Sequence, residues 1–112
     1  MTREHRTVTQ VRPDEVATGA TILDVREDDE WLAGHVEGSI HMPLREVMAR
    51  WGELVPADDL VVVCRHGVRS FQAAAYLTSA GVAAVNLDGG LVAWTRAGRP
   101  VVTDDGTSGR VI

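Results

Sequence analysis

The sequence predicts an α/β domain of three layers, with helices flanking both faces of a mostly parallel central sheet. Three observations carry that prediction. Leu60-Val61-Val62-Val63 is a short unbroken apolar run, the pattern of a strand buried on both faces. An Ala-rich stretch from Phe71 to Tyr76 follows it after one short loop and reads as a helix. Two further apolar runs, 21–26 and 82–87, are separated from it by amphipathic or polar segments, so strands alternate with helices.

Taken in order, residues 1–6 are polar and read as a flexible N-terminus, and 7–11 alternate weakly, as a short edge strand does. Residues 12–17 suit a short helix, with Pro13 early and acids in the first turn, stopped by Gly19. Residues 21–26 form a buried strand. The run Glu27-Asp28-Asp29-Glu30 reads as a solvated acidic cluster, and Gly34 and Gly38 as turns. Ser39 to Met42 is a short strand closed by Pro43. Leu44, Val47, Met48 and Trp51 recur at helical spacing and define the inward face of a helix, with Gly52 as its stop. After Pro56 to Asp59 comes the central strand, then a helix from Ser70, as N-cap, to Ala80, ended by Gly81. A strand at 82–87 enters the turn Asp88-Gly89-Gly90, and Leu91 to Ala97 makes a last short helix. The domain is expected to span 7–102, with 103–112 as a flexible, Gly-rich polar tail.

At 112 residues the chain holds one core and no second domain. A net charge of −5 disfavours nucleic acid, whose phosphates need a basic face. No apolar run approaches the roughly 18 residues of a membrane span, and no hydrophobic signal core follows Met1, so the expectation is a cytoplasmic protein with no membrane partner. One cysteine leaves no internal disulfide and no cysteine-based zinc cage. All eleven basic residues other than histidine are arginine, which removes lysine Schiff-base chemistry. No cofactor and no metal are expected; His35 and His41 lack a third ligand at sensible spacing.

That single cysteine, Cys64, lies at the carboxyl end of the central strand, the edge where open α/β sheets bind ligands. Behind it, Arg65-His66-Gly67-Val68-Arg69-Ser70 leads into a helix whose first amides point at an anion. Arg65 and Arg69 supply positive charge, and Gly67 lets the backbone turn its N–H groups inward as a nest. Positive potential and amide donors favour a thiolate. Cys64 is therefore the candidate nucleophile, and 65–70 the candidate substrate cradle. A lone cysteine is more often a small buried hydrophobe; the flanking arginines argue against that here. Asp24, Arg26 and Glu30 read as a structural ion-pair network rather than an acid–base set. Trp31 and Trp51 read as packing residues, and Trp94 as packing or a wall of the site.

Cys64-Arg65-His66-Gly67-Val68-Arg69-Ser70 resembles the active loop of the single-domain rhodaneses, the thiosulfate and persulfide sulfurtransferases. Leu23-Asp24-Val25-Arg26-Glu27, Glu30-Trp31, Gly34 to Ser39, Met42-Pro43 and Asp88-Gly89-Gly90-Leu91 with Ala93-Trp94 each resemble family segments in the same order, over about Val8 to Val101. The resemblance implies a rhodanese-like fold and a double-displacement cycle. Cys64 takes a sulfane sulfur from thiosulfate or a persulfide donor, holds it as a persulfide under the amides of 65–69, and passes it to cyanide or a thiol. A protein sulfur donor or acceptor is a further expected class of partner. Related phosphatases carry a longer Cys-x5-Arg loop; here Arg69 makes Cys-x4-Arg, with Ser70 at the sixth position, a smaller cup suited to one sulfur atom. The alternative within the resemblance is a non-catalytic carrier or interaction module.

Overall fold

A computed structural model describes residues 8–54 and 59–112. Residues 1–7 and 55–58 lie outside them, and with them the expected loose N-terminus and the start of the first strand. Five strands form one sheet: β1 (Thr9–Val11), β2 (Ile22–Asp24), β3 (Ile40–His41), β4 (Leu60–Val63) and β5 (Ala84–Leu87). Their order is β1-β5-β4-β2-β3, and every pairing is parallel. Helices α1 (Asp28–Ala33), α2 (Leu44–Arg50) and α3 (Val68–Ser79) connect the strands from β2 onward, and α4 (Gly90–Arg96) follows β5. Single 3-10 turns cover Pro13–Glu15 and Trp51–Glu53, the latter running through Gly52, which therefore does not act as a stop.

The apolar runs are buried on both faces because β2, β4 and β5 each feed two cores. Successive side chains of a strand point to opposite faces. Leu60, Val62 and Cys64 accordingly join one cluster, with Ala73, Ala74 and Leu77 of α3. Val61 and Val63 join the other, with Leu91 and Trp94 of α4. The same parity fixes the direction of Cys64: it continues the row of Leu60 and Val62 and so faces the start of α3.

Four expectations are corrected or refined. First, the acidic run 27–30 is solvated at Glu27 to Asp29, as expected, and it also forms the start of α1. The Glu27 N–H donates to Glu30 Oε1 at 3.0 Å, and three acids occupy the first turn, where carboxylates favour a helix. Second, α3 begins at Val68, not after Ser70. Gly67 takes a left-handed conformation (φ 98°) that starts the helix early, and Ser70 lies fully buried inside it. Third, Met48 is 70% exposed; Val47 is the buried residue of α2, with Leu44 and Trp51 half-buried on the same core. Fourth, residues 103–112 fold back on the domain instead of trailing from it. Val102 bridges His35 and Ser108, the Gly109 N–H donates to Val101 O, and the Arg110 N–H donates to Ala33 O. These are backbone bonds, which a polar Gly-rich segment makes as well as an apolar one.

Candidate active site

Cys64 is 1% exposed, and three donors converge on its sulfur. The Gly67 N–H lies 3.1 Å from Sγ, the Ser70 N–H 3.3 Å and the Ser70 hydroxyl 3.2 Å. Helix termini leave their first N–H groups without intrahelical partners. At α3 the Ser70 amide is satisfied by sulfur, the place a serine oxygen takes at an ordinary N-cap. Such a convergence of donors on one atom suits an anionic sulfur.

The loop is held open from behind by α4. The Leu91 N–H donates to Cys64 O at 2.8 Å, and the Val92 N–H to Arg65 O at 3.1 Å. In a trans peptide the N–H points opposite to the preceding C=O, so the amides of Arg65 and His66 are turned away from α4 and into the loop. This close approach needs Gly90, which adopts φ 65°; a Cβ there would lie 2.4 Å from Arg65 O and 2.7 Å from Cys64 O. The Asp88-Gly89-Gly90 turn thus shapes the cradle without touching the sulfur. Asn86, buried in β5, fixes the other side by donating through Nδ2 to Gly67 O (3.1 Å) and to Gln10 Oε1 (2.8 Å). Sequence reasoning missed Asn86; a polar residue inside an apolar strand was its signal.

The cradle residues divide by position. Gly67 and Ser70 are buried against the sulfur, whereas His66 and Val68 are exposed, Val68 at 67%. Arg65 crosses the loop, with Nε donating to Ile112 O at 2.9 Å and Nη1 against the His66 ring. Arg69 turns to α1, where Nη1 and Nη2 grip Glu30 at 2.7 and 2.9 Å. This grip pulls the Glu30 carboxyl down to about 2, with the Arg69 hydrogen bond as the main cause and the Glu27 amide assisting, against a smaller opposing effect of burial. The same pairing raises Arg69. Arg69 therefore brings a partly neutralised charge to the loop.

Asp24 and Arg26 form a separate, fully buried pair. Arg26 Nε and Nη2 clasp the carboxylate, and Nη2 also reaches Gly34 O at 2.7 Å. The pair joins the end of β2 to the turn after α1, as expected of a structural network. Trp31 stacks in parallel on His35 (3.6 Å between centroids) and on His41 (4.7 Å), so both histidines take part in packing. Trp94 does not wall the sulfur site. It is buried in the α4 core, with Nε1 donating to Pro100 O and the Arg99 guanidinium over its ring at 4.0 Å.

A parallel five-stranded sheet with a cysteine loop cradled between α3 and α4 defines a class. Residues 10–97 match the Rhodanese-like domain family, and the chain belongs to it. The chain is 37% identical over 86 residues to a sulfurtransferase of Allochromatium vinosum, covering 76% of this chain and 80% of that protein. It is 35% identical over 112 residues to the thiosulfate sulfurtransferase GlpE of Pseudomonas aeruginosa, covering 92% and 94%. The crystal structure of a rhodanese-related protein from Thermoplasma volcanium superposes with a TM-score of 0.81 at 31% identity, covering 86% of this chain and 99% of that one. Among the described residues no helix is long and apolar enough to cross a membrane.

Proposed function

We propose that this chain is a sulfurtransferase in which Cys64 carries the sulfur. In the first half-reaction the Cys64 thiolate attacks the outer sulfur of thiosulfate. An S–S bond forms at Sγ, the thiosulfate S–S bond breaks, and sulfite leaves with its electron pair. In the second, cyanide or a thiolate attacks the outer sulfur of the persulfide, and the Sγ–S bond breaks to return the Cys64 thiolate. No adjacent general base is invoked, because the three donors converging on Sγ suit the anionic sulfur that attacks. The amides of residues 65–69 line the cup that receives the transferred sulfur.

The observation that carries the reading is the convergence of the Gly67 amide, the Ser70 amide and the Ser70 hydroxyl on Sγ. Arg65 and His66, at the exposed rim, meet the anionic donor first. The family and the names of the relatives support the reaction class. Steady-state conversion of thiosulfate and cyanide to thiocyanate tests it: wild type turns over and Cys64→Ser falls to background. Absence of turnover with thiosulfate and with small persulfides, while Cys64 still takes sulfur from a protein donor, favours sulfur carriage instead.

A further inference from the structure

Beside the loop, with Gly67 in its lining, lies a groove of about 400 Å³. Gln10 and Asn86 line it from the sheet, Val68 and Phe71 from the first turns of α3, and Asp88 from the turn before α4. Its volume lies in the range of small-molecule sites. Gly67 belongs both to the groove and, through its amide 3.1 Å from Sγ, to the cradle.

The chemistry of the lining selects the occupant. Val68 and Phe71 are exposed apolar side chains, 67% and 40%, and offer a wall for methylene groups. The Nδ2 bonds of Asn86 to Gln10 and Gly67 brace the sheet side of the groove. Asp88 is the one carboxylate of the lining; His66 lines the opposite rim, with Arg65 Nη1 2.9 Å from its ring, and no arginine itself is among the described residues that form the groove. Beside that carboxylate a cation is attracted.

We infer that this groove binds the acceptor: a small aliphatic thiol bearing an ammonium group, its methylenes on Val68 and Phe71 and its charge beside Asp88. This rests on the proposed persulfide. From the groove the thiolate reaches over Gly67, attacks the outer sulfur of the Cys64 persulfide and forms its own S–S bond. The Sγ–S bond breaks, its electron pair returns to Cys64, and the product leaves as the aminothiol persulfide.

Two measurements on the full chain test this. In the first, Cys64→Ser protein, which forms neither a persulfide nor a mixed disulfide, is titrated with cysteamine and with 3-mercaptopropionate, and amide shifts are followed by NMR. Cysteamine is expected to shift Gln10, Val68, Asn86 and Asp88 and the carboxylate thiol to leave them, with the cysteamine shifts shrinking at high salt. Equal response to both thiols, or shifts confined to other surfaces, overturns the inference. In the second, protein already loaded with one sulfur is discharged by each thiol. The ratio of the two rates is expected to fall about threefold to fivefold in Asp88→Asn, as for a single exposed ion pair, while the intrinsic reactivities of the thiols cancel. An unchanged ratio overturns the inference. Failure of the wild type to load sulfur from any donor refutes the proposed function, and the NMR titration still decides the groove.

Discussion

Glu30 holds Arg69 through both terminal guanidinium nitrogens, at 2.7 and 2.9 Å, and so ties α1 to the first turn of α3 across 39 positions of sequence. The same Glu30 oxygen that meets Arg69 Nη1 accepts the Glu27 amide at the start of α1. One carboxylate therefore caps a helix and fixes an arginine of the cysteine loop.

Acid should dissolve this tie. The Glu30 carboxyl is held at about 2, below its ordinary 4.5, so folding favours its charged form. The stabilisation is fully present above the ordinary value and is lost as pH falls from about 4.5 through about 2. Glu30→Gln should lower stability by about 1 kcal/mol at pH 6, the upper part of the range for partly exposed pairs. The difference from wild type should close toward pH 2. Urea denaturation at a series of pH values measures it, and a difference independent of pH contradicts the assignment.

Gly90 and Gly98 make a matched test of the cradle's backing. Both have positive φ, 65° and 82°, but a Cβ at Gly90 meets Arg65 O at 2.4 Å and one at Gly98 meets nothing within 4 Å. Gly98→Ala should cost about 1 kcal/mol, the left-handed penalty alone. Gly90→Ala should cost at least about 2 kcal/mol more, because Arg65 O must move, and should cut sulfur transfer well beyond that loss. Denaturation and thiocyanate formation on the two variants give both readouts.

Ser70→Ala removes the hydroxyl 3.2 Å from Sγ and leaves the amide donor in place. Alanine is a strong helix former, so the fold should persist. Loss of one hydrogen bond to an anionic sulfur should slow sulfur loading roughly tenfold. Stopped loading assays followed by intact mass measure this. An unchanged rate removes the hydroxyl from the mechanism.

The buried pair of Asp24 and Arg26 serves stability. Arg26→Ala leaves Asp24 charged and unpaired in the core and should cost about 3–5 kcal/mol. Thermal and urea midpoints of the variant check it; a loss below about 1 kcal/mol would mean that water replaces the guanidinium.

Much of this was legible in the residues. The four apolar residues before Cys64 imposed a parallel strand with two covered faces, and strand parity then aimed the cysteine at α3. The errors share a physical origin. Ser70 reads as an N-cap because serine oxygens accept amides, yet here the sulfur of Cys64 accepts and the serine hydroxyl donates. Glu27 to Asp29 are solvated as their composition reads, but the helix they start depends on a reciprocal cap and on Arg69, a partner distant in sequence. The fold of 103–112 rests on backbone bonds to Ala33 and Val101, which side-chain patterning does not encode. Gly90 and Asn86 act through carbonyl oxygens of the loop, so only the assembled structure reveals what they hold.

The central claim is that Cys64 accepts a sulfur atom inside its cradle. Intact mass of the full chain, before and after thiosulfate and then after cyanide, tests it most directly. Wild type should gain the mass of one sulfur and lose it to cyanide with release of thiocyanate, while Cys64→Ser, equally folded by its melting curve, should gain nothing. Sulfur uptake by Cys64→Ser, or its absence in folded wild type with every sulfane donor offered, would contradict the account.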